Sequence, residues 1–306
     1  MNHLRSNKYI TIDRETINGE YIFVTAPVHV WEEVFSTTFN VYRYLISNQV
    51  RTIIRAEDYS LPAHLFPHIF AVFNTVQFFH PITVKKANPI ATEEFHNNGA
   101  SLQGLVTPAV INEVYGITSN TGSLTVSQAV YESDSQAFSP TDLTTFQKYF
   151  NIPVQPVSED IGGHMFDNAC QMSGSSINNC DEANLDVQYI MGIAQNTYTI
   201  FHYSSDTSSD WMLSWITSVA DSASPANVYS ISYGNVEYAY SKAYVQAFNT
   251  EAIKLGIIGT TIVASSGDDG AVSSMARNAS RYCGYFPDFP ASSPYVVAVG
   301  ATNVPL

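Results

Sequence analysis

From Glu182 onward, short apolar runs alternate with helix-length segments, and this rhythm restricts the chain to few architectures. The runs are Tyr198-Thr-Ile-Phe201, Val228-Tyr-Ser-Ile-Ser-Tyr233, Thr260-Thr-Ile-Val-Ala264 and Val296-Val-Ala-Val299, with helical patterns near 184–195, 210–220 and 238–255. Strands separated by helices are joined by crossovers, which makes neighbouring strands parallel. The expectation is an α/β fold, a doubly wound parallel sheet. Functional residues of such sheets lie beyond the carboxyl ends of the strands. Here those ends are Ser204-Ser205, Gly234-Asn235 and Ser265-Ser-Gly-Asp268.

The first hundred residues read differently. Tyr21–Thr25, Thr52–Ile54 and Thr75–Phe79 have strand character, Pro27–Phe35 is helical, and Leu61–Phe70 reads as a short helix interrupted by Pro67. Mixed short elements of this kind predict a small α+β domain. Charge separates the two regions as well. Residues 1–101 hold 8 of the 13 basic and 9 of the 27 acidic side chains, a net of −1; the remaining 5 basic and 18 acidic side chains give residues 102–306 a net of −13. Between them, KKANPIATEEFHNNGASLQG has the composition of an exposed linker. The predicted organisation is a domain over 1–86, a linker over 87–101 and a second domain over 102–306. Two helix starts follow, each with a hydroxyl N-cap and proline at the first helical position: Thr107-Pro108 and Ser139-Pro140.

Several function classes drop out. A formal charge of −14 leaves no basic footprint for nucleic acid. No stretch approaches the ~20 uninterrupted apolar residues of a membrane span, and no signal peptide is visible at the start. There is no His-Glu-x-x-His and no Cys-x-x-Cys, so a zinc site has no support. His164 beside Asp167 reads as an exposed loop histidine, and Trp211 and Trp215 as helix-packing residues. Cys170 and Cys180 flank the polar loop MSGSSINN; they fit a disulfide in an oxidising compartment and also fit free thiols. Asn278-Ala-Ser280 is a glycosylation sequon.

Two constellations carry chemical potential. Glu182 and Asp186 are four apart at a helix start, which puts both carboxylates on one face, where proximity raises one pKa and lets the pair share a proton. The same spacing also describes a solvated acidic first turn that complements the helix dipole. Ser265-Ser-Gly-Asp268-Asp-Gly270 follows a buried strand directly, a tight loop where backbone and carboxyl groups can approach a ligand. It lacks the acid spacing of an EF-hand and the Gly-Lys of a phosphate loop.

These residues sit in segments that resemble a known family. The stretch Val24–Phe79, then VTPAVINEVYGI, EANLDVQYIMGIA, VYSISYG, FNTEAIKLG, VASSGDDGA and FPDFPASSPYVVAVGAT resemble, in order and spacing, the sedolisin or serine-carboxyl peptidase family, more closely its tripeptidyl-peptidase branch. The resemblance implies a subtilisin-like fold behind an inhibitory prosegment, cleaved near Leu102 in acid. It implies Glu182 as the general base, Asp186 as the carboxylate that holds it, and Asp268 as a protonated donor to the oxyanion. Carboxyl groups in all three roles suit an acidic working pH, where a histidine base would be protonated. A peptide or protein substrate and a secreted, lysosomal or acidic vacuolar setting follow from the same likeness.

The pattern also departs from the family. Its nucleophilic serine lies in a downstream Ser-Gly-Thr-Ser motif that these 306 residues do not contain, and its calcium site is likewise C-terminal. Met172-Ser-Gly-Ser-Ser176 lies upstream of Glu182, in the wrong order. After Ser-Tyr-Gly, tripeptidyl members carry acidic residues that read a free amino terminus; here Asn235 takes the first place and Glu237 follows, which leaves an endopeptidase open. Both ends predict a fragment, with Cys283 paired beyond it. The alternative is a catalytically dead pseudoenzyme or binding protein.

Overall fold

The computed structural model describes residues 4, 6–46, 49–78, 105–170, 179–206, 208, 210–270 and 284–301. Along the chain run β1 (Thr11–Glu15), β2 (Ile22–Thr25), α1 (Val28–Phe35), β3 (Phe39–Ile46) and β4 (Gln49–Ala56). Next come α2 (Pro108–Tyr115), β5 (Ser127–Glu132), α3 (Pro140–Tyr149), β6 (Glu159–Ile161), α4 (Asp181–Ile193) and β7 (Tyr198–Tyr203). The last elements are α5 (Trp211–Ala220), β8 (Val228–Ile231), β9 (Asn235–Val236), α6 (Lys242–Ile257), β10 (Thr261–Ser265), β11 (Asp288–Phe289) and β12 (Val297–Val299). They divide into two compact units. One comprises Met1–His80, Ser208–Pro225 and Tyr238–Lys254; the other Pro81–Thr207, Ala226–Glu237 and Leu255–Leu306. The linker expected over 87–101 lies outside the described residues.

In the first unit, β1 and β2 form an antiparallel hairpin with an irregularity between Ile12 and Arg14, and β3 pairs β4 antiparallel from Phe39↔Ala56 to Ile46↔Gln49. The hairpin is tied to α5 and α6. Arg14 Nη2 donates to Thr217 Oγ1 at 2.6 Å, the Ile17 amide to Asp221 Oδ1 at 3.1 Å, and Lys254 Nζ to Glu20 and Glu251, each at 2.8 Å. Trp211 and Trp215 are buried, as their helical spacing predicts.

Two expectations for this region fail. Leu61–Phe70 contributes only a single 3-10 turn, Phe66–His68, because Pro62 and Pro67 lack the amide hydrogens a helix needs. Residues 75–78 form no strand. Arg55 holds this segment in place of a sheet neighbour, donating to the Gln77 carbonyl and to Asn74 Oδ1, both at 2.6 Å.

The second unit is built on the parallel sheet, in the order β12-β10-β8-β5-β7-β6. The chain runs outward to β6, returns through β7, then crosses β5 to build β8, β10 and β12. Strand order therefore reverses around β5, which is where open α/β sheets place their sites. Sequence reading overlooked β5, since Gln128 and Glu132 interrupt its apolar run. Both are buried; Gln128 Nε2 is satisfied by Thr199 Oγ1 at 3.0 Å. The two hydroxyl caps form as expected: Thr107 Oγ1 accepts from the Val110 amide at 3.3 Å and Ser139 Oγ from the Asp142 amide at 3.1 Å.

Candidate active site

Helix α4 is oriented by its buried stripe. Ala183, Val187 and Met191 recur every four residues and pack with Val130, Phe138, Leu143, Val157, Phe201 and Tyr203. Glu182 and Asp186 each precede a buried position by one residue, about 100° around the helix. They therefore lie along the rim of the packed face, partly buried. The start of α4 is fixed from several sides. Cys170 and Cys180 form a disulfide with Cα atoms 5.4 Å apart, as their spacing allowed. Gln136 Oε1 accepts from the Ala183 amide at 3.4 Å, and Asn184 accepts from the Ser139 amide at 2.9 Å while donating to Asp142 at 3.1 Å.

Around this rim the sheet supplies further groups. Ser232 follows β8 and its Oγ donates to Asp186 Oδ2 at 2.7 Å. The next residue, Tyr233, donates its hydroxyl to Glu132 Oε2 at 2.7 Å, and Glu132 closes β5, fully buried. Burial dominates the electrostatics. It pushes Glu182 up to about 7, helped by the negative charges of Asp186, Asp268 and Asp181 and opposed by a Ser232 hydrogen bond. Burial likewise lifts Asp186 to about 6 against hydrogen bonds from Ser232 and Glu132. Glu132 rises well above the carboxylate range, through burial first and then the Asp186 charge. The cluster holds protons at pH values where surface carboxylates are ionised. Coupled acids of this kind titrate as a group.

Asp268 stands in the loop after β10, exposed, with its charge acting on Glu182. Glycine is needed just before it. Gly267 has φ +86°, and a side chain there would collide with the Asp288 carboxyl. Asp288 is itself raised, by burial first and then by the Asp269 and Asp268 charges. The short strand β9 pairs antiparallel with β11. Gly234, between Tyr233 and β9, has no room for a side chain because the Phe289 carbonyl oxygen would lie 2.8 Å from its Cβ.

The structure thus gathers Glu182, Asp186 and Asp268 from α4 and the loop after β10. Asn235 and Glu237 leave the end of β8 on the β9 turn; Asn235 Oδ1 accepts from the Val236 amide at 2.8 Å, and the Glu237 amide donates to the Pro287 carbonyl at 2.8 Å. Ser232, Tyr233 and Glu132 were missed as site residues. A polar residue ending each of two adjacent parallel strands is the only sequence signal that could have marked them. His164 stacks on Tyr203, and Asp167 accepts from the Thr141 amide at 2.9 Å near the start of α3, so this pair is structural. Asn278, Cys283 and Met172–Ser176 lie outside the described residues.

A parallel α/β sheet with a carboxyl cluster over its strand ends, following a small α+β region, defines the class as a subtilisin-like peptidase fold with a prosegment. The family of the pro-kumamolisin activation domain matches residues 1–78. Physarolisin of Physarum polycephalum is 32% identical over 301 residues, covering 92% of this chain and 48% of that protein. Tripeptidyl-peptidase 1 of Canis lupus familiaris is 31% identical over 263 residues, 83% of this chain and 44% of the relative; that of Homo sapiens is 32% identical over 255 residues, 80% and 42%. A Pseudomonas sedolisin structure, described as a serine-carboxyl proteinase, aligns with a TM-score of 0.49 at 20% identity over 63% of this chain and 52% of the other. The chain belongs to the sedolisin family. It spans less than half the length of the curated relatives it matches.

Proposed function

We propose that this chain carries the prosegment and the amino-terminal part of the catalytic domain of an acid-acting serine-carboxyl peptidase. The observation that supports it most is the protonatable cluster of Glu182 and Asp186, under the charge of Asp268, above the carboxyl ends of the sheet. In this reading Glu182 is the general base toward a serine hydroxyl, Asp186 orients it, and Asp268 in its protonated form donates to the developing oxyanion. The serine belongs to the family's Ser-Gly-Thr-Ser motif. A base with a pKa raised toward 7 is a better proton acceptor than an ordinary glutamate.

Residues 1–86 act as an intramolecular inhibitor and 87–101 as the processing region, which places mature peptidase sequence from about Leu102. The substrate is a peptide or protein, met in an acidic secretory, lysosomal or vacuolar setting. Tripeptide release is the finer reading; Asn235 in the first amino-terminus-reading position weakens it and Glu237 supports it. Calcium is expected in the family, but the described residues hold no cluster of three or more His, Cys, Asp or Glu able to bind a metal, so no step here involves it.

The test uses a form of the protein that carries the nucleophile motif. Acid incubation should release peptidase activity together with a new amino terminus in or just after 87–101, and Glu182→Ala should abolish both. Activity that survives Glu182→Ala rejects the assignment of the base.

A further inference from the structure

Ser232 is held more firmly than a loop serine needs to be. Ile231 before it is buried and paired with Ala264 and Tyr131 on the two flanking strands. Tyr233 after it is buried and tied to Glu132, and Gly234 is pressed against the Phe289 carbonyl. The hydroxyl therefore has a fixed origin. From there it donates to Asp186 Oδ2 at 2.7 Å.

A hydroxyl has one proton to give, and here it goes to Asp186, whose ionised form it stabilises. The other groups acting on the pair are Asp181 on α4, Glu132 at the end of β5 and Asp268 after β10. Asp181 and Asp268 raise Glu182 by charge, and Glu132 receives the Tyr233 hydroxyl.

We propose that Ser232 is a positioning residue of this site, its hydroxyl bridging the end of β8 to Asp186 on α4 so that the carboxyl group beside Glu182 keeps one orientation. The proposal rests on the peptidase reading for its consequence in catalysis, but the bridge itself does not. Ser232 touches no substrate in this role. Its removal leaves the strand backbone intact, so the effect falls on the rate and its pH dependence.

Two measurements separate the bridge from the reading it rests on. In the 306-residue chain, carbon-13 titration of the Glu182 and Asp186 carboxyls is compared among wild type, Ser232→Ala and Ser232→Thr. Ser232→Ala should move the pair upward by about one pH unit, since a donor to the charged forms is lost, and Ser232→Thr should return it toward wild type. Unchanged titration in Ser232→Ala overturns the proposal whatever the activity assay shows. If the alanine variant does not fold, Ser232→Cys, which keeps the shape with a weaker donor, takes its place. In a form carrying the nucleophile, Ser232→Ala should lower kcat about tenfold to a hundredfold, leave KM within about twofold and shift the acid limb of the rate profile upward. Ser232→Thr should restore the profile. An equal loss at every pH, without rescue by threonine, overturns it as well. A wild-type protein inactive in acid removes the peptidase reading, and the titration then decides the bridge by itself.

Discussion

In the first unit Lys254 Nζ lies 2.8 Å from both Glu20 and Glu251, and Arg14 reaches Asp221 at 3.9 Å. In the second, burial raises Glu182, Asp186 and Glu132, and the charges of Asp186 and Asp268 add to it at Glu182. The same residue type thus titrates in opposite directions. Glu20 is held below its ordinary value, chiefly by the Lys254 hydrogen bond, whereas Glu182 is held above its own by burial. The sign of the pH dependence follows. Glu20 contributes stability present above its unfolded pKa and lost as pH falls through its lowered folded pKa. Glu182 contributes stability that is complete below about 4.5 and is lost as pH rises through about 7. Acidification therefore tightens the site while loosening the hairpin's tie to Lys254 on α6. The inhibitory segment proposed above, which has to let go in acid, fits the second of these effects.

Mutations can separate the two halves, because all three tryptophans, Trp31, Trp211 and Trp215, belong to the first unit. Phe201 is fully buried and packs on Phe138 with ring centroids 4.8 Å apart, so Phe201→Ala should cost about 3–5 kcal/mol in urea unfolding followed by circular dichroism. If tryptophan fluorescence shifts by the same amount, the units unfold together and the comparison concerns pKa values alone. A smaller effect is expected from Glu182→Gln, which should raise stability at pH 7 by about 2 kcal/mol relative to wild type and lose that advantage by pH 4.5. Melting curves across that range check it, and a constant difference would place the raised pKa elsewhere in the cluster. Smallest of all, Glu20→Gln should cost less than about 1 kcal/mol at pH 7, as exposed pairs do, and the cost should shrink further in acid. A cost that grows as pH falls contradicts the direction assigned to Glu20.

Local signals in the sequence were the ones that proved readable. Thr107-Pro108 and Ser139-Pro140 announce helix starts because a cap and its amide are three residues apart. Glu182 and Asp186 were legible as a pair because helical spacing alone puts them on one face. Cys170 and Cys180 could be named as partners without being decided between bonded and free. What stayed hidden depends on distant residues. Gln128 and Glu132 make β5 look unlike a central strand until Thr199 and Tyr233 are brought to them. Residues 75–78 have the composition of a strand, but Arg55 claims the nearby carbonyl and side-chain acceptors. Ser232 looked like one more residue of an apolar run, and its importance appears only when α4 lies across the strand end.

The bond between Cys170 and Cys180 gives the first turn of α4 a history as well as a shape. That tether exists only after two thiols have been oxidised, so the surroundings in which the chain matures decide whether the helix start carrying Glu182 is clamped. A preparation made in a reducing cytosol and one made in an oxidising compartment are then different reagents with one sequence. Counting thiols under denaturing conditions distinguishes them before any assay is run: the clamped form shows no more than one of its three cysteines.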